Sequence, residues 1–235
     1  MNLVIVQPEQ SSVDKLFNVS RSADFSSMLV ELGAFTTGYP GYLVHRGQSL
    51  REAGSKVPMI DTMGNVLVGD TRIVPDPVLG ALGLEWSHLQ NYRGLTRRGI
   101  VGVLVVRAGL LVRILDRSFR HLQDRESGGQ KTLQHQLVKA SFVEAFDRAE
   151  RIRLEAVSLL DETIEIDFDG EHQALSRATV KAAKLMGGHG FLLGEVNTLE
   201  FLSLCLTALY GRADAQAQTM LHGSIANKER EQCVA

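Results

Sequence analysis

Lys184-Leu185-Met186-Gly187-Gly188-His189-Gly190-Phe191 sets three glycines in four positions between two apolar stretches of helical character. With no Cβ at those positions, the backbone is free to take positive φ and to let another group come close. Two readings stay open: a glycine that simply ends a helix, or a turn against which a ligand lies. Working outward, Gln173 to Leu185 reads as the helix before the break and Val196 to Leu209 as the helix after it. Further upstream, Val138, Phe142, Ala145, Ala149, Ile152 and Ala156 recur at three- and four-residue intervals, which predicts a helix over Lys131 to Leu160. A still longer helix is expected from Leu84 to Gln123. All five prolines fall within the first 77 residues, so nothing interrupts these helices. The expected architecture is mainly α: a bundle of four long helices, with a short weaker one after Gly211.

The first third of the chain has a different texture. Leu3 to Val6, Gly41 to Arg46 and Asn65 to Val74 are short apolar runs separated by Gly, Pro, Ser and Asp, which predicts strands. The expected division is a partial β-rich domain over 1–76 and a helical bundle domain over 77–235. A partial sheet exposes edges that need covering, so an oligomer is expected, with the N-terminal segment at the interface or wrapped on the bundle.

Composition narrows the function classes. The chain has 235 residues, 44% hydrophobic and 22% charged, with a net charge of -2, which fits a soluble globular protein and offers no global field for nucleic acid or anionic membrane. The apolar run from Ile100 to Leu115 contains Arg107 and Arg113 and is too short to span a bilayer. No basic region precedes the N-terminal apolar residues, and the two cysteines form neither a disulfide framework nor a metal pattern, so a cytoplasmic protein without a metal is expected.

Charge in the long helix is one-sided. Arg93, Arg97 and Arg107 fall on one stripe and Arg113, Arg117 and Arg120 on the opposite side, at about 100° per residue. The first stripe either faces a phosphate-bearing ligand or pairs with Glu144, Asp147, Glu150 and Glu155 of the next helix. Asp167-Phe-Asp-Gly-Glu171 lacks the full ligand pattern of a calcium loop and reads as a solvated connection.

Several spaced motifs together resemble the acyl-CoA dehydrogenase family, specifically its C-terminal half. Leu3-Val4-Ile5-Val6 with Pro8 and Val13 is similar to a strand of that family's middle domain. Asp70-Thr71-Arg72-Ile73-Val74-Pro75 with Leu79-Gly80 resembles the stretch before its first bundle helix, and Leu89, Arg93 and Gly99 resemble that helix's start. Arg125-Glu-Ser-Gly-Gly129 and Gln136 resemble the arginine and glutamine signature between its first two bundle helices, and the glycine break falls at its double-glycine turn.

The resemblance implies a four-helix bundle preceded by the end of a β-barrel, and FAD, retained, lost or shared with a partner subunit. It places Arg125, Gln136, Gly187 and Gly188 at the cofactor, and Tyr92, Arg93 and Tyr210 at an acyl-CoA or acyl-carrier-protein thioester. The family's proton-abstracting glutamate corresponds to Tyr92 or Tyr210 here, and neither is a carboxylate, so no catalytic residue is assigned. The family's glutamine before the double glycine is Lys184, and its phenylalanine after the arginine is Gly128. The implied function is one subunit of a flavin-dependent acyl-thioester oxidoreductase, as a homo-oligomer or joined to a separate N-terminal-half subunit. The alternatives are a flavin-free acyl-thioester-binding isomerase, cyclase or dehydratase, or a non-catalytic structural partner.

Overall fold

The computed structural model describes residues 8–90 and 93–211. Two helices come first: α1, Pro8–Ser22, and α2, Phe25–Thr37. Both lie in the segment expected to be β-rich, between the strands expected at Leu3 to Val6 and Gly41 to Arg46. Pro8 opens α1, and Val13, Leu16, Phe17 and Ser20 form its buried face at helical spacing. Val13 is thus a core residue of a helix, not part of a strand. Asp24 caps α2 by accepting from the Ser27 backbone N–H at 2.8 Å, and the Gly38 N–H closes it on the Ala34 carbonyl at 2.8 Å. α1 carries few apolar residues, whereas α2 is rich in them, with Met28, Leu29, Leu32 and Phe35 buried at helical spacing between its two caps.

A small β region follows: β1, Tyr42–Leu43; β2, Gln48–Glu52; β3, Met59–Ile60; and β4, Arg72–Val74. After the short helix α3, Pro77–Ala81, comes β5, Leu84–His88. β5 is the centre of an antiparallel three-stranded sheet in the order β2-β5-β4, with Leu50 opposite Trp86 and Val74 also opposite Trp86. β1 and β3 pair in parallel, Tyr42 with Met59. The long helix therefore does not begin at Leu84. Its first residues are claimed by the sheet, because Leu84 to His88 pairs with β2 along its whole length and with β4 from Trp86 to His88. Leu3 to Val6 and the helix after Gly211 lie outside the described residues.

The bundle is built on α4, Arg97–Leu122, capped by Thr96. Every residue from Gly99 to Val112 is buried, as a helix apolar on all sides must be. α4 packs against α1, α2, α5 (Gln136–Leu159), α6 (Phe168–Ala183) and α7 (Val196–Tyr210). The helices expected from 131, 173 and 196 correspond to α5, α6 and α7. A hairpin of β6, Glu126–Ser127, and β7, Gln130–Lys131, joins α4 to α5. Asp167, in the segment with a calcium-loop flavour, caps α6 by accepting from the Gly170 N–H at 2.9 Å. Gly109 lets α1 cross α4 closely: a Cβ there would lie 2.6 Å from the Phe17 carbonyl oxygen and 2.6 Å from the Ser20 Cβ.

Pairing with the α5 acids, one of the two readings of the stripe of Arg93, Arg97 and Arg107, is not what Arg97 and Arg107 do. Four arginines of α4 donate to carbonyls near the ends of the surrounding elements, and one of them, Arg98, also pairs with Glu9 at 2.9 Å. Arg97 reaches the Leu159 and Ile164 carbonyls, each at 2.7 Å, Arg98 the Phe35 carbonyl at 2.6 Å, Arg113 the Ala23 carbonyl at 2.6 Å, and Arg117 the Gly194 carbonyl. Leu159 and Phe35 lie in the last turns of α5 and α2, where carbonyls lack helical partners and the helix dipole favours a cation. The acids of α5 find other partners: Glu150 binds Arg153 at 2.7 Å, Glu155 binds Arg151 at 3.1 Å, and Glu144 binds Lys181.

Arg107 is a different case. It is fully buried between α4, α6 and α7, with no carboxylate partner among the described residues. Its Nε donates to Ser203 Oγ at 3.0 Å, its Nη2 to Ser176 Oγ at 2.7 Å, and its Nη1 to His172 Nδ1 at 2.8 Å and the His172 carbonyl at 3.1 Å. Burial pulls its pKa down to about 10, still well above neutrality. Burial and then the Arg107 charge pull His172 down to about 3, so the imidazole is neutral and Nδ1 accepts. Arg107 therefore faces neither a phosphate-bearing ligand nor α5.

Candidate functional site

The C-terminal half of α4 turns Arg117, Arg120 and His121 to one side, because residues three and four apart share a helix face. The glycine break packs there. It forms a 3₁₀ segment, Lys184–Phe191, interrupted at Gly187, whose φ of 56° and ψ of -143° suit a glycine. Gly187 and Gly188 are exposed, and a Cβ at either would meet nothing within 4 Å. The break therefore continues past the end of α6 with the Gly187–Gly188 backbone exposed. Gly190 is the buried member, where a Cβ would lie 2.9 Å from Val196 Cγ2.

His189 stacks on His121, with ring centroids 4.7 Å apart and planes at 18°. Beside this pair lies a cavity of about 440 Å3 lined by Arg117, Arg120, His121, Met186, His189, Gly194 and Glu195. Burial first, then the nearby charges of Arg125 and His189, hold His121 below the usual histidine pKa, against the opposing pull of Glu195. The result is a concave, predominantly basic surface beside an exposed glycine backbone, suited to an anionic group.

The expected site residues separate. Arg125 is exposed just after α4, within electrostatic reach of His121 and so of the glycine turn. Gln136 is the exposed first residue of α5. Arg93 is exposed and offers its backbone carbonyl to the Arg46 N–H at 3.0 Å. Tyr92 lies outside the described residues. Tyr210 is 1% exposed, donates its hydroxyl proton to the Leu43 carbonyl at 2.9 Å and accepts from the Leu50 N–H at 3.2 Å. Burial pushes its phenol up to about 12. Tyr210 ties the end of α7 to β1 and β2; its hydroxyl is neither exposed nor poised to take a proton.

The sequence reading missed Arg120, His121 and Arg117 as neighbours of the glycine turn. Their signal was present as Arg117, Arg120 and His121 at three- and four-residue spacing, but nothing in sequence says which element will face that stripe.

Comparison with known proteins bears on this geometry. No protein-family model matches the chain, and no curated protein matches it in sequence. Among solved structures, it is similar to one described as the electron transferring flavoprotein of Acidaminococcus fermentans, at 11% identity and TM-score 0.50 over 79% of this chain and 63% of that one. The likeness is one of fold. The butyryl-CoA dehydrogenase of Megasphaera elsdenii is also similar, at 13% identity and TM-score 0.49 over 79% of this chain and 62% of that one. So is a Tcur3481-Tcur3483 steroid ACAD variant, at 13% identity and TM-score 0.48 over 91% of this chain and 75% of that one. The chain spans just under two thirds of the length of the first two, at 63% and 62%. The mainly α architecture is the class that the sequence resemblance implied.

Proposed function

We propose that this chain is an acyl-CoA dehydrogenase-like protein acting as one subunit of a flavin-dependent acyl-thioester oxidoreductase. The observation that carries the reading is the juxtaposition of the open Gly187–Gly188 backbone with the basic concavity of Arg117, Arg120, His121 and His189, with Arg125 in reach. These residues fit the diphosphate end of FAD: guanidinium and imidazole N–H groups match phosphate oxygens, and glycine backbone permits close approach. A flavoprotein among the structures of similar fold supports the same cofactor. Arg125 and Gln136 would hold the dinucleotide from the α4–α5 connection, and FAD when bound supplies the acceptor for hydride from an acyl thioester.

The chain's own contribution is binding and orientation. Tyr210 is excluded as a base by its two backbone partners and its raised pKa. The proton-abstracting group is therefore sought on a partner subunit, an N-terminal-half chain or a second copy. Titration of the purified protein with FAD, alone and with such a partner, tests the reading. A stoichiometric yellow complex that is bleached by an acyl thioester in the presence of the partner supports it; a colourless assembly that binds no FAD overturns it. A second reading, a flavin-free thioester-binding protein or a non-catalytic structural partner, is favoured by the burial of Tyr210. It predicts an intact assembly with no flavin affinity.

A further inference from the structure

Between α1 and α4 lies a second cavity of about 360 Å3, lined by Arg21, Ser22, Arg113, Asp116, Arg117 and Arg120, the last two shared with the glycine-turn cavity. Four guanidiniums face one carboxylate. Arg21 engages that carboxylate with two bonds, Nε to Asp116 Oδ2 at 2.7 Å and Nη2 to Oδ1 at 3.0 Å, so Asp116 neutralises only one of the four.

The other three arginines are held in place by carbonyls rather than by acids. Arg113 donates Nη1 to Ala23, Arg117 donates Nη1 to Gly194, and Arg120 donates Nε to its own helix at Asp116. Each bond fixes a guanidinium plane with one nitrogen and spares the others for a ligand. Arg113 also lies over the Phe25 ring, 4.9 Å from its centroid, which further limits its motion. Burial and the Arg117 charge both weaken protonation of Arg113, so the cluster carries a mutual repulsion that a bound anion would relieve.

We infer that this α1–α4 cavity is a polyanion subsite, and that its ligand is a diphosphate or comparably charged phosphate ester. Planar guanidiniums fixed around a cavity match tetrahedral phosphate oxygens better than a diffuse monovalent ion. The volume exceeds what a single phosphate needs, and four guanidiniums against one carboxylate leave charge for a second phosphate. The inference goes beyond the flavin reading, since Arg21 and Arg113 belong to this cavity alone.

Isothermal titration of the full chain with inorganic pyrophosphate, orthophosphate and chloride tests it, with FAD affinity measured separately. Saturable pyrophosphate binding is expected, stronger than that of orthophosphate, and weakened at least tenfold by Arg21→Gln and by Arg113→Gln. Asp116→Asn, which removes the only carboxylate in the lining, is expected to tighten it severalfold. His189→Ala, in the other cavity, is expected to weaken FAD binding and to leave the Arg21-dependent pyrophosphate binding within twofold. Because Arg113 also anchors the Ala23 carbonyl, Arg21→Gln serves as the reading variant if Arg113→Gln does not fold. Absence of saturable binding, or equal binding by wild type and Arg21→Gln, overturns the inference. Pyrophosphate binding with no FAD binding, either alone or with the partner subunit, refutes the proposed function and leaves this subsite standing; FAD binding without pyrophosphate binding does the reverse.

Discussion

Replacing His172 by Asn isolates one proton in the pH dependence of stability. His172 is buried, its Nδ1 accepts from Arg107, and its folded pKa is pulled from the ordinary 6.5 to about 3. The folded state holds the imidazole neutral, whereas the unfolded chain takes up a proton as pH falls below about 6.5. The associated stability is therefore complete above that value and is lost progressively as pH falls toward about 3, with a limiting slope of about 1.4 kcal/mol per pH unit. Between pH 7 and pH 5 the loss from this residue is about 2 kcal/mol. Both ends of the window lie well above the folded pKa, so the figure is set by the unfolded chain. Asn keeps an acceptor oxygen toward Arg107 and cannot titrate, so His172→Asn should lose about 2 kcal/mol less than wild type over the same window. Urea unfolding at pH 5, 6 and 7 for both proteins measures it. His121, also lowered by burial, is present in both proteins and cancels in the difference. Asp24, Asp61 and Asp161, held below the usual carboxylate range, stay ionised throughout. Equal pH slopes in the two proteins would refute a neutral His172 against Arg107.

Tyr210→Phe removes a donor to Leu43 and an acceptor for Leu50, and should cost roughly 1–3 kcal/mol in urea unfolding. FAD affinity should be unchanged, and a loss of it would contradict a structural tie. Gly109→Ala sets a methyl group 2.6 Å from the Phe17 carbonyl and should destabilise by roughly 1–3 kcal/mol, with a lower melting temperature as the measurement. Asp24→Ala removes the α2 cap and should cost about 1 kcal/mol, whereas Asp24→Ser should retain most of the stability.

The sequence by itself determined the helical bundle. Its signals were local: the apolar recurrence of α5, the absence of proline after residue 77, and the glycine-dense end of α6. Its errors were local as well. Leu84 to His88 could extend a helix or pair as a strand, and only strands β2 and β4 on either side resolve that choice. α1 is weakly marked by its few apolar residues, and the short apolar run of α2 fits a strand or a helix by itself; both pack against α4, which stabilises them as helices.

At the site, the sequence supplied the residue types and tertiary structure assigned their partners. The glycine turn was visible as a place where backbone is exposed, but its meeting with His121, Arg117 and Arg120 depends on how the segment after α6 folds back on α4. The arginines of α4 were expected to meet acids or phosphate, since charge alone suggests those partners. In three dimensions most of them meet carbonyls at the ends of neighbouring elements, and Arg107 meets a neutral histidine and two serines. Helical periodicity is written into consecutive side chains, so sequence determines it. The carbonyl that an arginine reaches, or the burial that keeps a histidine neutral, depends on residues far apart in the chain, and only the packed structure brings them together.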